Sequence, residues 1–186
     1  MAISYPLNTP TTIGIESITL RAVNATVASQ SPFTFKQQVI AHQGQRWEAS
    51  VSIPSSRRDL SADWVALVVA MKGQVGSFLL GDPDYVTPRG TVSSCVVTGT
   101  AGDGTVSVVM TGTLKAGDYI QLGAGSSARL HKVLVDKNGT GDLEIWPDLR
   151  STYSSVAFRL SQNVNEWSIN NASAYGISFE AVEVIL

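Results

Sequence analysis

Little in this chain is equipped for covalent or metal chemistry. One cysteine among 186 residues excludes an internal disulfide, and Cys95 sits in the apolar run Val92 to Val97, the setting of a buried strand thiol rather than a reactive one. Only 15% of the residues are charged, the net charge is −2, and no basic block exceeds the pair Arg57-Arg58. A nucleic-acid binder concentrates positive charge to neutralise phosphates, so specific nucleic-acid binding is not expected. No apolar stretch approaches the ~20 residues of a membrane-spanning helix, so membrane insertion is not expected either. The start, Met1 to Pro6, lacks the basic, apolar and small-residue sequence of an export signal, which predicts a protein made and folded in a cytoplasm.

The candidates for a reactive site are correspondingly thin. The two histidines, His42 and His131, stand far apart in the chain and read as surface or strand-face residues rather than general bases. No serine lies in a Gly-x-Ser-x-Gly elbow. Asp82-Pro83-Asp84 offers carboxylates to a divalent cation but lacks the further acidic residues of a calcium loop, and Asp before Pro also starts turns. Gly99 to Gly104 lacks the Gly-Lys-Ser/Thr ending of a phosphate loop and reads as a hairpin loop. No enzyme activity, cofactor or metal is expected.

What the chain does have is apolar residues, 44% of the total, distributed in short runs that favour strands. That richness also suggests apolar surface covered by neighbouring subunits. Residues 1–17, polar around Pro6 and Pro10, read as an extended arm. Ile18 to Val23 alternates as a strand. Thr34 to Ala41 reads as a second extended piece, ending at a turn at Gly44. Trp47, Ala49, Val51 and Ile53 then share one face of a further strand. Leu60, Trp64, Leu67, Val68 and Met71 form one stripe of a helix over Leu60 to Lys72, with Asp59 or Ser61 as its cap and Lys72-Gly73 at its end.

Beyond Pro88-Arg89-Gly90 the texture changes to short β runs between glycine-rich turns. They lie at Val92–Thr98, Thr105–Met110, Asp118–Leu122, Leu130–Val135, Leu143–Trp146 and Val156–Leu160, the content of a small barrel or sandwich. The closing strand repeats an earlier spacing, Phe179-Glu180-Ala181-x-x-x-Ile185 against Trp47-Glu48-Ala49-x-x-x-Ile53, which predicts that the two lie in one sheet. The expected organisation is a discontinuous domain of 1–88 and 161–186, with 89–160 inserted.

Two sets of aromatic residues are candidates for binding. Phe33 and Phe35 follow Pro32 and would point the same way if extended, either as a subunit seam or as strand core. Trp146 and Trp167, with Tyr85, Tyr119 and Tyr153, could stack on sugar rings, although Trp146 ends a strand before Pro147 and packing competes there. Trp167 is flanked by asparagines and reads as the more exposed of the two.

Several motifs resemble the distal tail protein family of long-tailed (siphovirus-like) bacteriophages. They are Ser31-Pro32-Phe33-Thr34, Gly44-Gln45-Arg46-Trp47-Glu48, the Trp64 helix, Gly76-Ser77-Phe78-Leu79-Leu80-Gly81-Asp82-Pro83 and Pro88-Arg89-Gly90. Further along, Leu114-x-Ala116-Gly117-Asp118-Tyr119 to Gly123, Leu130 to Leu134 and Ile145-Trp146-Pro147-x-Leu149-Arg150 look like the second half of the same family. The resemblance implies a mainly β fold with a minor α+β element: a tail-tube-like belt β-sandwich with one packed helix, plus an inserted small OB-like β-barrel. It implies a structural protein at the distal end of the virion tail, assembled in the host cytoplasm as a homo-oligomer, a hexameric ring. Its partners would be itself, the tail tube protein and the tip or baseplate hub. In some members the insertion resembles a carbohydrate-binding module, so a host-attachment role for the barrel is the alternative.

Overall fold

The computed structural model describes residues 3–82, 87–92, 95–122, 129–150 and 174–185, and the backbone alone at 158–160 and 167–169. The chain is mainly β, with one helix among the described residues. Its first sheet is built around β1 (Ser17–Gln30) and β2 (Gln37–Arg57), joined at its other side by β12 (Ala174–Glu183), with β10 (Phe158–Leu160) and β11 (Trp167–Ile169) both on the far edge of β12. All its pairings are antiparallel. β2 and β12 do share the sheet, but antiparallel: Ile53, Val51 and Ala49 stand opposite Ile177, Phe179 and Ala181, so of the repeated positions only Ala49 and Ala181 are partners. Alternation puts all six on one face, where Trp47, Ala49, Val51, Ile53, Ile177 and Ala181 are buried.

That face is covered by α1 (Arg58–Ala70), which buries Trp64, Leu67 and Val68, with Met71 buried just past its end. Two expectations for the helix are corrected. Leu60 is 41% exposed, and Ser61 is buried in its place, its hydroxyl donating to the Ser56 carbonyl. At a junction where strand runs directly into helix, a small residue that satisfies its own polar group against the preceding strand fits better than leucine. The cap is Arg57 with no side-chain hydrogen bond, so neither Asp59 nor Ser61 caps. The C-terminal end is as the sequence implies, with Lys72 and Gly73 both at positive φ.

The N-terminal arm docks on its own body. Leu7 forms a parallel bridge with Phe78, the Tyr5 hydroxyl donates to the Ala70 carbonyl at 2.6 Å, and Trp64 Nε1 donates to the Ile13 carbonyl at 3.0 Å. Phe179 closes the layer between Trp64, at 6.1 Å, and Phe78, at 5.8 Å between ring centroids. Because Leu67 sits in this packed layer and is 7% exposed, Leu67→Ala should lower stability by about 2–3 kcal/mol in urea unfolding. A loss below about 0.5 kcal/mol would show that the helix does not carry the core.

A second core belongs to residues 92–149. Its strands are β3 (Cys95–Thr98), β4 (Thr105–Met110), β5 (Thr113–Leu114), β6 (Tyr119–Leu122), β7 (Arg129–Val133), β8 (Lys137–Asn138) and β9 (Gly141–Trp146). Five of them form a nearly closed, barrel-like sheet in the order β3-β4-β9-β7-β6, while β5 pairs β8. Gly99 to Gly104 is a hairpin loop, held by Asp103 accepting the Thr100 N–H at 2.8 Å. The strand expected at Val156–Leu160 is not a barrel strand: Phe158–Leu160 pairs with Ala181–Glu183 of the first sheet. The chain has thus returned to the first sheet before residue 161, because the barrel already closes its core with Leu149.

Buried Asp118 ties the barrel to the segment that enters it. Its carboxylate accepts the N–H groups of Arg89 at 2.9 Å, Gly90 at 3.2 Å and Lys115 at 2.9 Å. Burial pushes this carboxyl up, but those three donors and the Arg89 guanidinium outweigh it and hold it below the usual range. A Cβ at Gly90 would lie 1.8 Å from the Thr113 carbonyl oxygen, so the backbone approach that seats Gly90 against β5 requires glycine.

Candidate assembly surface

The first sheet and the barrel meet at Trp47. Its indole N–H donates to the Leu130 carbonyl at 2.9 Å, and its ring packs edge-to-face with Trp146 at 4.6 Å and lies 6.2 Å from Tyr119. Lys132 Nζ sits 4.6 Å above the Tyr119 ring. Glu183 on β12 accepts the Trp47 backbone N–H at 2.9 Å and an Arg129 N–H at 3.0 Å, so one buried carboxylate binds β2, β7 and β12. Trp146 Nε1 donates to Asn24 Oδ1 at 2.7 Å, and Gln45 Oε1 accepts the Asp148 N–H at 2.6 Å. Asn24 and Gln45 are partners across β1 and β2.

Those contacts anchor the root of a ribbon that then leaves the body. From Asn24 to Gly44, a span of 21 residues, every residue is exposed except Ser31. The separate extended piece expected at Thr34–Ala41, with a turn at Gly44, is corrected by the structure. Thr26–Gln30 pairs with Gln37–Ala41, and an irregularity opposite Ala25 absorbs His42, Gln43 and Gly44. The tight turn is at 31–36, where Ser31 N–H donates to the Lys36 carbonyl at 3.0 Å and Phe35 N–H to the Ser31 carbonyl at 2.9 Å. At Gly44 the reason for glycine is space, since a Cβ would come within 2.7 Å of the Ala25 Cβ.

Phe33 and Phe35 are therefore neither core nor neighbours on an extended strand. They sit on the ribbon's tip, 91% and 72% exposed. Phe35 has φ +54, a conformation that costs a bulky residue about 1–2 kcal/mol. Folding gains nothing from an exposed aromatic in a left-handed turn. Below the tip, Val27 pairs with Ile40 on one face and Ala28 with Val39 on the other, with Val27, Val39 and Ile40 at least half exposed. The sole full charge between Asn24 and Gln45 is Lys36. Beyond the root both ribbon edges are unpaired among the described residues, because β1 ends the sheet and β12 pairs β2 only from Glu48 onward.

The remaining candidates fall elsewhere. Trp146 is half-buried at the seam. Trp167 opens β11 opposite Ile177, and its side chain lies outside the described residues, as do Pro83, Asp84, Tyr85 and Tyr153. His42 is exposed in the ribbon's irregular root. His131 is not a surface residue: it is 2% exposed, with Nδ1 2.7 Å from the Pro147 carbonyl oxygen. Cys95 is half-buried against the second core, and burial raises its thiol pKa. Among the described residues no group of three or more His, Cys, Asp or Glu could hold a metal ion, and no helix is long and apolar enough to cross a membrane. No family model matches the chain, and no curated protein sequence matches it.

Burial of His131 lowers its pKa from 6.5 to about 4, its hydrogen bond to Pro147 only partly opposing the shift and Arg129 adding to it. The folded state resists protonation that the unfolded state accepts. Stability from this group is thus fully present above pH 6.5 and is lost as pH falls from there towards 4, by about 2 kcal/mol at pH 5. Urea midpoints between pH 8 and 5 should show this slope, and His131→Gln should flatten it. Asp103, Asp118 and Asp136, all held below 3.8, lose their contributions at lower pH. An unchanged slope in His131→Gln would assign the window to another group.

Proposed function

We propose that this chain is a non-enzymatic structural subunit of a ring at the distal end of a long-tailed phage tail, joining the tail tube to the tip or baseplate hub. The observation that carries the reading is the ribbon. A two-stranded hairpin with two exposed faces is marginal on its own in water, and one with free edges, exposed valines and phenylalanines and a single charge is an aggregation hazard unless a partner covers it. Its 20 exposed residues match the ~20–30 that one side of a standard protein interface contributes. A strained, exposed Phe35 is accounted for by the same contact.

The motif resemblance supports the specific assignment. The first sheet with its helix would be the belt, the barrel an OB-like insertion on its periphery, and the ring a hexamer of this chain. The competing role, glycan binding by the barrel, is weakened because Trp146 is drawn into the seam with Trp47 and Asn24. Electron microscopy of the purified protein should show closed rings. A strictly monomeric particle at micromolar concentration would overturn the proposal.

A further inference from the structure

We propose that the ribbon tip of one copy seats on the outer face of the barrel of the next copy, with Lys36 reaching Asp142 and Glu144; this rests on the ring reading above. Alternation along β9 turns Leu143 and Ile145 into the barrel core and leaves Asp142 and Glu144 outward and exposed. The register carries this outer face across three strands: Glu144 stands opposite Thr105, Asp142 opposite Ser107, and Val109 opposite Val96. Val96 is 65% exposed and Val109 61%, a cross-strand apolar pair facing away from the core. On the other side of the acidic pair, a shallow groove is lined by Thr105, Val135, Asp136, Lys137, Asp142 and Glu144.

The face therefore offers apolar ground and carboxylates, the complement of a tip that carries two phenylalanines and one lysine. Asp136 is already engaged by Lys115 Nζ at 2.8 Å. Asp142 and Glu144 form no ion pair with any described residue. The ribbon itself, by contrast, has a cation and no carboxylate. Five paired positions beyond the root extend the ribbon by about 17 Å, enough to carry the tip clear of its own body to a neighbour. Tip and barrel face are different surfaces of one chain, so the contact can repeat head to tail, the arrangement from which rings are built.

The test is charge reversal with rescue, read by light scattering at low ionic strength and checked by circular dichroism for intact folding. Lys36→Glu and Glu144→Lys should each weaken assembly about tenfold, and the double variant should recover most of it. A double variant no better than either single, with wild-type rings intact, overturns this seam and leaves the ring reading standing. Wild-type protein that never self-associates overturns both. A second measurement uses Thr34→Cys and Val135→Cys in a Cys95→Ser background: mixed under mild oxidation they should give disulfide-linked dimers that neither gives alone. Cross-linking no stronger in the mixture than in the separate variants would also overturn the seam.

Discussion

Replacing residues 25–44 by Asn-Gly should yield a folded monomer that no longer assembles, with an association constant reduced at least a hundredfold. Asn24 and Gln45 are direct partners across β1 and β2, and a two-residue Asn-Gly loop is the connection that suits the twist of a closing hairpin. None of the excised residues belongs to either hydrophobic core, so the thermal midpoint should move by only a few degrees. Both halves of that expectation are needed. If the shortened protein unfolds, the ribbon is part of the fold and its exposure is incidental. If it folds and still forms rings, assembly runs through another surface. Phe35→Gly is the finer version, relieving the left-handed strain while removing an anchor: stability should hold or rise as assembly weakens.

How much of this was legible in the sequence depended on the range of the interaction. Alternation at Trp47 to Ile53 and the helical stripe from Trp64 to Met71 are local patterns set by one covered face each, and both survive in the structure. The spacing shared by β2 and β12 pointed to a common sheet because both strands turn alternate apolar residues to the same covered face, although their antiparallel register pairs only Ala49 with Ala181 among the repeated positions. The ribbon was not legible, since beyond its root residues 25–44 are almost wholly exposed among the described residues and so carry no inward and outward alternation to detect. The same absence hid the irregularity at Ala25 and made Gly44 look like a turn. His131 and Glu183 were missed for a different reason: both are polar residues buried by contacts distant in sequence, and no local pattern encodes a partner such as Pro147 or Arg129. Lys36 carried a signal that could have been read, as the lone charge in a 22-residue stretch.

Glu183→Ala should destabilise the protein by about 3–5 kcal/mol, through the seam rather than through either core. Glu183 and Arg129 are 4% and 8% exposed, and removing the carboxylate leaves a buried guanidinium whose Nε already lacks a partner. It also strips the acceptor from the Trp47 backbone N–H, a further cost of the kind that any orphaned buried donor carries. Arg150 adds to the cost: burial lowers its pKa, Arg129 reinforces that, and Glu183 and Asp148 oppose it, so losing Glu183 removes one of the two carboxylates that offset the neighbouring cations. The compensated variant Arg129→Met with Glu183→Leu should recover the ion-pair share of the loss, because a buried ion pair exchanged for apolar packing is often neutral, while the share from the Trp47 N–H remains. Urea unfolding followed by tryptophan fluorescence reads both quantities, since Trp47 and Trp146 report the seam itself. A loss under about 1 kcal/mol in Glu183→Ala would mean that the carboxylate is dispensable and that the Trp47 contacts with the Asn24 and Gln45 hydrogen bonds hold the barrel to the sheet.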